Sequence, residues 1–184
     1  MREPNYIKLS RLAVRFTQRQ SGFTLVEVLV SALLLAIGMV GLAGLQAASL
    51  KNNQSSFMRS QVTALAYDLA DRMRANVPGA NANAYAPENA AVAISCTTTA
   101  GCSPQQMAQN DIAEWNAAIT TYLPLGQGWV CLDSTPNDGT SAAAPQCDGA
   151  GTQFTIKIWW DDDRDGVINL TAANMERLTI TYQL

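Results

Sequence analysis

The most prominent pattern along the chain is a long apolar run near its N-terminus. From Phe23 to Leu45 the only charged residue is Glu27, and the run contains no proline. At a rise of about 1.5 Å per residue, a helix of this length spans a hydrocarbon core of about 30 Å. The pattern therefore predicts a membrane-spanning helix over residues 23–45.

Beyond Leu45 the apolar residues become restricted to one side of a helix. Five of them follow the i, i+3, i+4, i+7, i+11 spacing of a single face: Val62, Leu65, Ala66, Leu69 and Met73. Pro78-Gly79 ends this pattern. We therefore predict one helix from Phe23 to about Asn76, apolar all round in its first part and packed on a core by one face in its second.

A second helix is indicated further along, after an irregular loop over residues 78–103. Ser103 is a typical N-cap, Pro104 suits the first helical position, and Gln106 completes a capping box. Pro124 and Gly126 end the helix. The residues expected to form its buried face are Met107, Ile112, Trp115, Ile119 and Tyr122.

Three segments in the C-terminal part have the alternation and residue types of strands. They cover residues 128–132, 152–160 and 176–182, and a polar loop over 133–151 separates the first two. The last two strands are expected to pair antiparallel. The predicted fold class is therefore α+β, with a long N-terminal helix packed on a small antiparallel β-sheet.

The buried face of this sheet is open to two interpretations. Because side chains alternate between faces along a strand, one set of the second strand should lie on the core. That set is either Phe154, Ile156 and Ile158 or the alternating set between them.

The net charge of −3 conceals a division between two parts of the chain. The first 22 residues carry Glu3 and five cations, whereas the remainder carries seven basic and fourteen acidic residues. A basic segment before an apolar run is typical of export signals and is expected to stay cytoplasmic. The acidic remainder argues against nucleic-acid binding, which needs a basic face. The five cations are Arg2, Lys8, Arg11, Arg15 and Arg19.

All four cysteines lie beyond the apolar run, on the side that would be exported. An even number in an oxidising compartment indicates disulfides, and four cysteines allow three pairings. We prefer Cys96–Cys102 and Cys131–Cys147, because each pair closes a short loop. Zinc is less favoured, since the spacings are unusual and the chain has no histidine.

The apolar run has three possible identities. A secretory signal peptide would be shorter and would end in a small-residue cleavage site. A plain membrane anchor fits the length but leaves Glu27 unexplained, unless this carboxylate lies near the interface and reaches water. The third identity is suggested by a family resemblance.

The heptapeptide from Gly22 to Val28 resembles the processing motif of type IV pilins and type II secretion pseudopilins. The resemblance implies that a prepilin peptidase cuts between Gly22 and Phe23 and methylates the new amine of Phe23. Glu27 would then be the acidic fifth residue of the mature chain. The family has the type IV pilin fold.

The resemblance also implies a division of the chain and a place in the cell. Residues 1–22 would be a cleaved basic leader, 23–45 the transmembrane and filament-core half of the helix, and 46–184 an exported globular head. The protein would cross the bacterial inner membrane once with a cytoplasmic N-terminus. Its head would be periplasmic and later part of the pilus at the cell surface.

Glu27 is expected to act in assembly. In a packed filament its carboxylate could pair with the amine of Phe23 in a neighbouring subunit, neutralising two charges that are each costly in an apolar core. The same pair would determine the axial register between subunits.

Three segments narrow the resemblance to minor pilins of the PilV family, also called type IV pilus modification proteins: residues 36–46, 60–76 and 158–161. The partners implied are the prepilin peptidase, other minor pilins, the major pilin and the inner-membrane pilus assembly machinery. Twitching motility and adhesion would depend on them. The alternatives are a type II secretion minor pseudopilin and a DNA-uptake or other binding pilin.

The remaining candidate chemistry is an acidic turn. Asp161, Asp163, Asp165 and Gly166 occupy positions 1, 3, 5 and 6 of a calcium-binding loop, but position 12, normally a glutamate, is Ala172. Calcium is therefore a weak candidate, because such turns are common for backbone reasons alone. The sequence has no histidine, P-loop or G-x-S-x-G motif, so we expect neither enzymatic activity nor a cofactor.

Overall fold

A computed structural model describes residues 22–91, 96, 98–99, 101–171 and 174–184. The predicted leader lies outside this range apart from Gly22. The chain divides into two units, Met1–Gln46 and Ala47–Leu184. The helices are α1 (Leu25–Ala75), α2 (Val77–Asn81) and α3 (Pro104–Tyr122), with a 3₁₀ turn at Pro87–Asn89; the strands are β1 (Gln127–Leu132), β2 (Phe154–Trp159), β3 (Leu170–Thr171), β4 (Asn174–Met175) and β5 (Arg177–Tyr182).

The described part of the first unit consists of residues 22–24 and the start of α1. Every side chain from residue 25 to residue 46 is exposed in the isolated chain. The most apolar 18-residue window of α1 has a mean hydropathy of 2.5, and in the described part of the chain α1 is the one helix long and apolar enough to cross a membrane. The bounds of α1 agree with the predicted helix to within two residues.

In the second unit α1 becomes one-sided, as its periodicity predicts. Val62, Ala66, Leu69 and Met73 are buried, and Leu65 packs at the margin of the same cluster. Side chains from α3 and β2 complete this core. The members from those two elements are Ala108, Ile112, Trp115, Ile119, Phe154, Ile156 and Ile158.

The segment after α1 contains more regular secondary structure than the predicted irregular loop. Pro78-Gly79 does end α1, but it also forms the first turn of α2, where proline is tolerated. The Asn76 side chain accepts a hydrogen bond from Gly79 N at 3.2 Å and donates to Pro104 O at 2.7 Å. A Cβ on Gly79 would lie 2.5 Å from Asn76 Nδ2, so only glycine fits here. Part of the predicted irregular loop, including residues 92–95, lies outside the described residues.

Helix α3 begins as its capping signals predict. Ser103 and Gln106 bond reciprocally to each other's backbone N–H at 3.2 and 3.0 Å. The predicted buried face is wrong at its two ends, because Met107 and Tyr122 are 42% and 62% exposed. The buried arc instead follows Ala108, Ile112, Trp115 and Ile119. Met107 lies beside that arc, and after Tyr122 the chain becomes extended, so that Leu123 turns into the core.

The main sheet has the order β1-β2-β5 and is antiparallel throughout. The register pairs Trp129 with Lys157 and Lys157 with Thr179. This confirms the predicted pairing of the last two strands. A further two-stranded sheet, β3 with β4, lies in the connection between β2 and β5 and had no signal in the sequence.

The expectation of a single buried face on β2 is wrong. All six of its residues are buried. Phe154, Ile156 and Ile158 belong to the core with α1 and α3. Lys157, which points to the opposite face, is fully buried as well, because segment 133–151 contributes Asp138 and Pro145 over it.

A polar network centred on Arg72 links α1 to α3. Its guanidinium lies 2.9 Å from Asp68 Oδ2, 3.1 Å from Asp111 Oδ1 and 2.8 Å from Glu114 Oε2. The Tyr85 hydroxyl donates to Asp111 Oδ2 at 2.8 Å. Burial, together with this carboxylate, raises the pKa of the Tyr85 phenol. The hydrogen bond from Arg72 lowers the pKa of the Glu114 carboxyl.

We expect Arg72→Met to destabilise the chain by about 2 kcal/mol, between the value of about 0.5 for an exposed ion pair and about 3 or more for a buried one. The pKa of the Glu114 carboxyl is lower in the folded chain than its ordinary value of 4.5. This difference stabilises the folded state fully above pH 4.5, and the stabilisation is lost as the pH falls through the lower, folded pKa. The difference between variant and wild type in urea unfolding should therefore shrink below pH 4.5. Asp71→Ala, which removes the exposed Arg74–Asp71 pair, serves as the control and should cost little. An equal loss in both variants would contradict the prediction.

Candidate processing and assembly site

The start of α1 places the predicted cleavage bond outside the helix. Gly22, Phe23 and Thr24 are not helical, and α1 begins at Leu25. Glu27 N donates to Thr24 Oγ1 at 3.3 Å and to Thr24 O at 3.1 Å. Thr24 followed three residues later by Glu27 is the sequence signature of a capping box. The helix is therefore capped by a residue that lies beyond the predicted cut.

Among the described residues, the bond between Gly22 and Phe23 is exposed. A Cβ placed on Gly22 would meet no atom within 4 Å, and Phe23 is 82% exposed. Nothing in the described chain hinders access to this bond.

The Glu27 side chain is exposed in the first turn of α1. Its backbone carbonyl accepts from Ser31 Oγ at 2.7 Å, but its carboxylate has no hydrogen-bond or ion-pair partner in the described part of the chain. An unpaired carboxylate on an otherwise apolar helix is costly wherever water is excluded. The arrangement leaves the carboxylate available to a cation from outside the chain.

The structure contains two disulfides, which join Cys96 to Cys102 and Cys131 to Cys147. The Cα–Cα distances are 4.8 and 6.2 Å, and the second bridge ties the end of β1 to segment 133–151. The cluster of Cys131, Asp133 and Cys147 is therefore no metal site, because the two sulfurs are bonded to each other.

The acidic turn does not bring the three predicted aspartates together. Ligand oxygens of Asp161 and Asp163 lie within 4.8 Å of Glu176, whereas Asp165 accepts from Val167 N at 2.8 Å in a local turn. Glu176 directly precedes β5, a position that carried no metal-binding signal. Ala172, the twelfth position of the proposed loop, lies outside the described residues.

Most of the carboxylate oxygens in this turn already have partners. Asp161 accepts from Arg164 N at 2.7 Å and Gly166 N at 2.8 Å. Glu176 accepts from Asp162 N at 3.2 Å and from Asn169 N. These bonds shape the turn through groups of the chain itself.

Cations on α1 also hold the acidic turn. Lys51 Nζ lies 3.7 Å from Asp163 Oδ2, and Arg59 Nη2 lies 3.2 Å from Asp162 Oδ2. The same Asp162 oxygen accepts from Ser55 Oγ at 2.6 Å. The turn therefore joins the middle of α1 to the end of β2 within the second unit.

Asp163 Oδ1 is buried and has no hydrogen-bond partner. Because the oxygens of Asp161 and Glu176 near it already accept from backbone N–H groups, we expect calcium titration to give no binding heat. Isothermal titration of the detergent-solubilised chain, with Asp161→Asn as the matched variant, checks this. Saturable heat in the wild type that disappears in Asp161→Asn would show that the turn takes calcium after all.

Two family models match adjacent parts of the chain. The prokaryotic N-terminal methylation motif matches residues 17–43, which include Gly22, Phe23 and Glu27. A type IV pilin family, described as type IV pilin Tt1218, matches residues 44–113, the rest of α1 and the first part of α3. No curated protein and no solved structure matches the chain. With a long N-terminal helix packed on a small antiparallel sheet, the chain has the type IV pilin fold, and the two matches support its assignment as a type IV pilin.

Proposed function

We propose that the protein is a minor pilin of the PilV kind, which takes part in initiating type IV pilus assembly after cleavage by the prepilin peptidase. The observation that carries the proposal is the start of α1. A non-helical Gly22–Phe23 bond precedes a capped apolar helix whose only charge in the run, Glu27, has no partner in the described chain. Pilins are structural proteins, and the proposal requires no enzymatic activity and no cofactor.

The proposed sequence of events follows from these positions. Residues 1–22 are removed as a leader, the amine of Phe23 is methylated, and residues 23–45 hold the subunit in the inner membrane. The head, residues 46–184, lies in the periplasm until assembly brings it into the pilus. Glu27 then pairs with the terminal amine of a neighbouring subunit, which removes two charges from a water-poor core.

The PilV-like segments support the minor-pilin proposal. Of the three segments, 36–46 lies in α1, 60–76 covers the last part of α1 and the residue after it, and 158–161 covers the end of β2 and the two residues after it. In the last segment Trp160 is buried, and its indole N–H donates to Asp162 Oδ1 at 3.0 Å. Arg59 of α1 lies over the Trp160 ring, 5.6 Å from its centroid. The partners proposed are other minor pilins, the major pilin and the inner-membrane assembly machinery, with twitching motility and adhesion as outcomes.

The distribution of charge supports a role without nucleic acid. Each of the seven cations between residues 47 and 184 has an acceptor in the chain, with the Gln54 amide oriented so that its oxygen accepts from Arg164. The same part of the chain has thirteen acidic residues. A phosphate backbone would have to compete with those acceptors. The cations are Lys51, Arg59, Arg72, Arg74, Lys157, Arg164 and Arg177.

The experiment is to determine the N-terminal residue and mass of the protein from bacterial membranes, with and without the prepilin peptidase. We expect a chain beginning at methylated Phe23 only when the peptidase is present. A chain that keeps residues 1–22 in both strains would refute the proposal.

Deletion of the gene separates a pilus from a secretion system. We expect the deletion to reduce twitching, whereas a loss of secreted enzymes instead would indicate a type II secretion pseudopilin.

A further inference from the structure

The second face of the main sheet contains an unusual buried cation. Lys157 lies at the centre of β2, between Trp129 of β1 and Thr179 of β5 on the same face. Its side chain has no solvent exposure. Burying a cation in this way is costly unless the chain compensates its charge closely.

Three groups from segment 133–151 meet the Lys157 amine. Nζ donates to Asp138 Oδ1 at 2.7 Å and to Pro145 O at 2.8 Å. It also lies 2.6 Å from Oδ2 of Asp133, whose side chain is fully buried. That last contact lacks hydrogen-bond geometry, because Asp133 Oδ2 accepts no hydrogen bond.

The geometry brings the two side chains close enough to react. Lys157 Nζ and Asp133 Oδ2 lie 2.6 Å apart with no hydrogen bond between them, and both side chains are fully buried. Two opposite charges are costly in a site with no solvent contact, and joining the two groups in an amide removes both charges.

We propose that Lys157 and Asp133 form a covalent amide, an isopeptide bond, in the folded protein. A proton passes from the Lys157 ammonium to the Asp133 carboxylate, and the nitrogen then attacks Cγ of that carboxyl group, so that an N–C bond forms and a C–O bond breaks. Asp138 takes a proton from the nitrogen and returns it to the departing hydroxyl. One water leaves, and no oxidant, cofactor or activated donor is consumed.

Asp138 is placed to act as this base. The hydrogen bond from Lys157 lowers the pKa of the Asp138 carboxyl, so it is an acceptor at neutral pH. Its side chain is 37% exposed, whereas Lys157 and Asp133 are fully buried. Asp138 therefore lies between the buried pair and the solvent, on the path by which the water would leave.

The bond would close segment 133–151 onto the sheet independently of the disulfide. Cys131–Cys147 already joins the end of β1 to this segment, and Arg177 donates to the backbone carbonyls of Asn137, Asp138 and Gly139. An amide between Asp133 and Lys157 is resistant to reduction. The cross-linked segment would then stay in place when the disulfide is reduced.

Peptide mass spectrometry of the full chain, purified from membranes, reduced and alkylated, tests the bond. We expect a branched peptide that joins residues 133 and 157, lighter by one water than the sum of its linear parts, with no tryptic cleavage after Lys157. Linear peptides with cleavage after Lys157 would overturn the proposal and leave an ordinary ion pair. This outcome does not depend on whether the protein is a pilin.

Asp138→Asn isolates the base while keeping the size of the side chain. We expect the branched peptide to disappear in this variant and to persist in Asp148→Asn. Asp148 is a carboxylate of the same segment that is bonded to Ser134 rather than to Lys157. A branched peptide in Asp138→Asn would overturn the role of Asp138.

Discussion

Replacing Gly22 with valine should leave the leader attached to every chain and keep the protein out of filaments. The matched N-terminal methylation motif includes this glycine, and the proposed cut directly follows it. A branched side chain next to the reacting carbonyl would obstruct a peptidase whose processing motif has glycine at this position. Because a Cβ at Gly22 meets no atom within 4 Å, the substitution should not disturb the fold.

Intact mass of the membrane form and immunodetection in sheared pili measure this effect. Gly38→Val is the matched control, since the same substitution also enters open space, in the apolar part of α1. The control should be processed as the wild type is. A Gly22→Val chain that begins at Phe23 would refute the proposed site.

Replacing Glu27 with glutamine should leave cleavage intact and reduce incorporation into filaments about tenfold or more. The observed cap uses Thr24 Oγ1 and the backbone N–H of residue 27, both of which remain in this variant, so the helix start should be preserved. What is lost is the negative charge that would pair with a neighbour's amine. A loss of only about 1.4 kcal/mol at each contact between subunits lowers the association constant of that contact by a factor of ten.

The ratio of filament-associated to membrane-associated protein measures this effect. Glu27→Asp, which keeps the charge on a shorter side chain, should retain more incorporation than Glu27→Gln. Equal incorporation of Glu27→Gln and wild type would eliminate the pairing hypothesis.

The helices were predictable from sequence because their signals are local. Four of the five residues in the stripe from Val62 to Met73 are buried, and Ser103 and Gln106 form the predicted capping box. The ends of the α3 face were not predictable. Whether Met107 or Tyr122 is buried depends on where the sheet and the following chain lie, which periodicity does not encode.

The burial of the second face of β2 was not predictable either, because it depends on a segment that lies elsewhere in the sequence. Thr155 and Lys157 have the polar character of a solvent-facing set, and only the distant segment 133–151 makes Lys157 an interior residue. Glu176 likewise lies near Asp161 only because β2 pairs with β5, which brings two distant parts of the sequence together. The cleavage and assembly residues, by contrast, lie in one heptapeptide, and their roles remain predictions.

The position of the α1 cap has an electrostatic consequence for the mature subunit. Because the helix begins at Leu25, removal of the leader would create a cation at its N-terminal end, where the aligned peptide dipoles already present positive charge. Such a placement is unfavourable by about 0.3–1 kcal/mol, and methylation does not remove it. Proteolysis would thereby produce a subunit with an unfavourable positive charge at its helix N-terminus. Contact with an anionic group, such as the carboxylate of Glu27 in a neighbouring subunit, would lower its free energy. The cut itself would then supply part of the driving force for polymerisation.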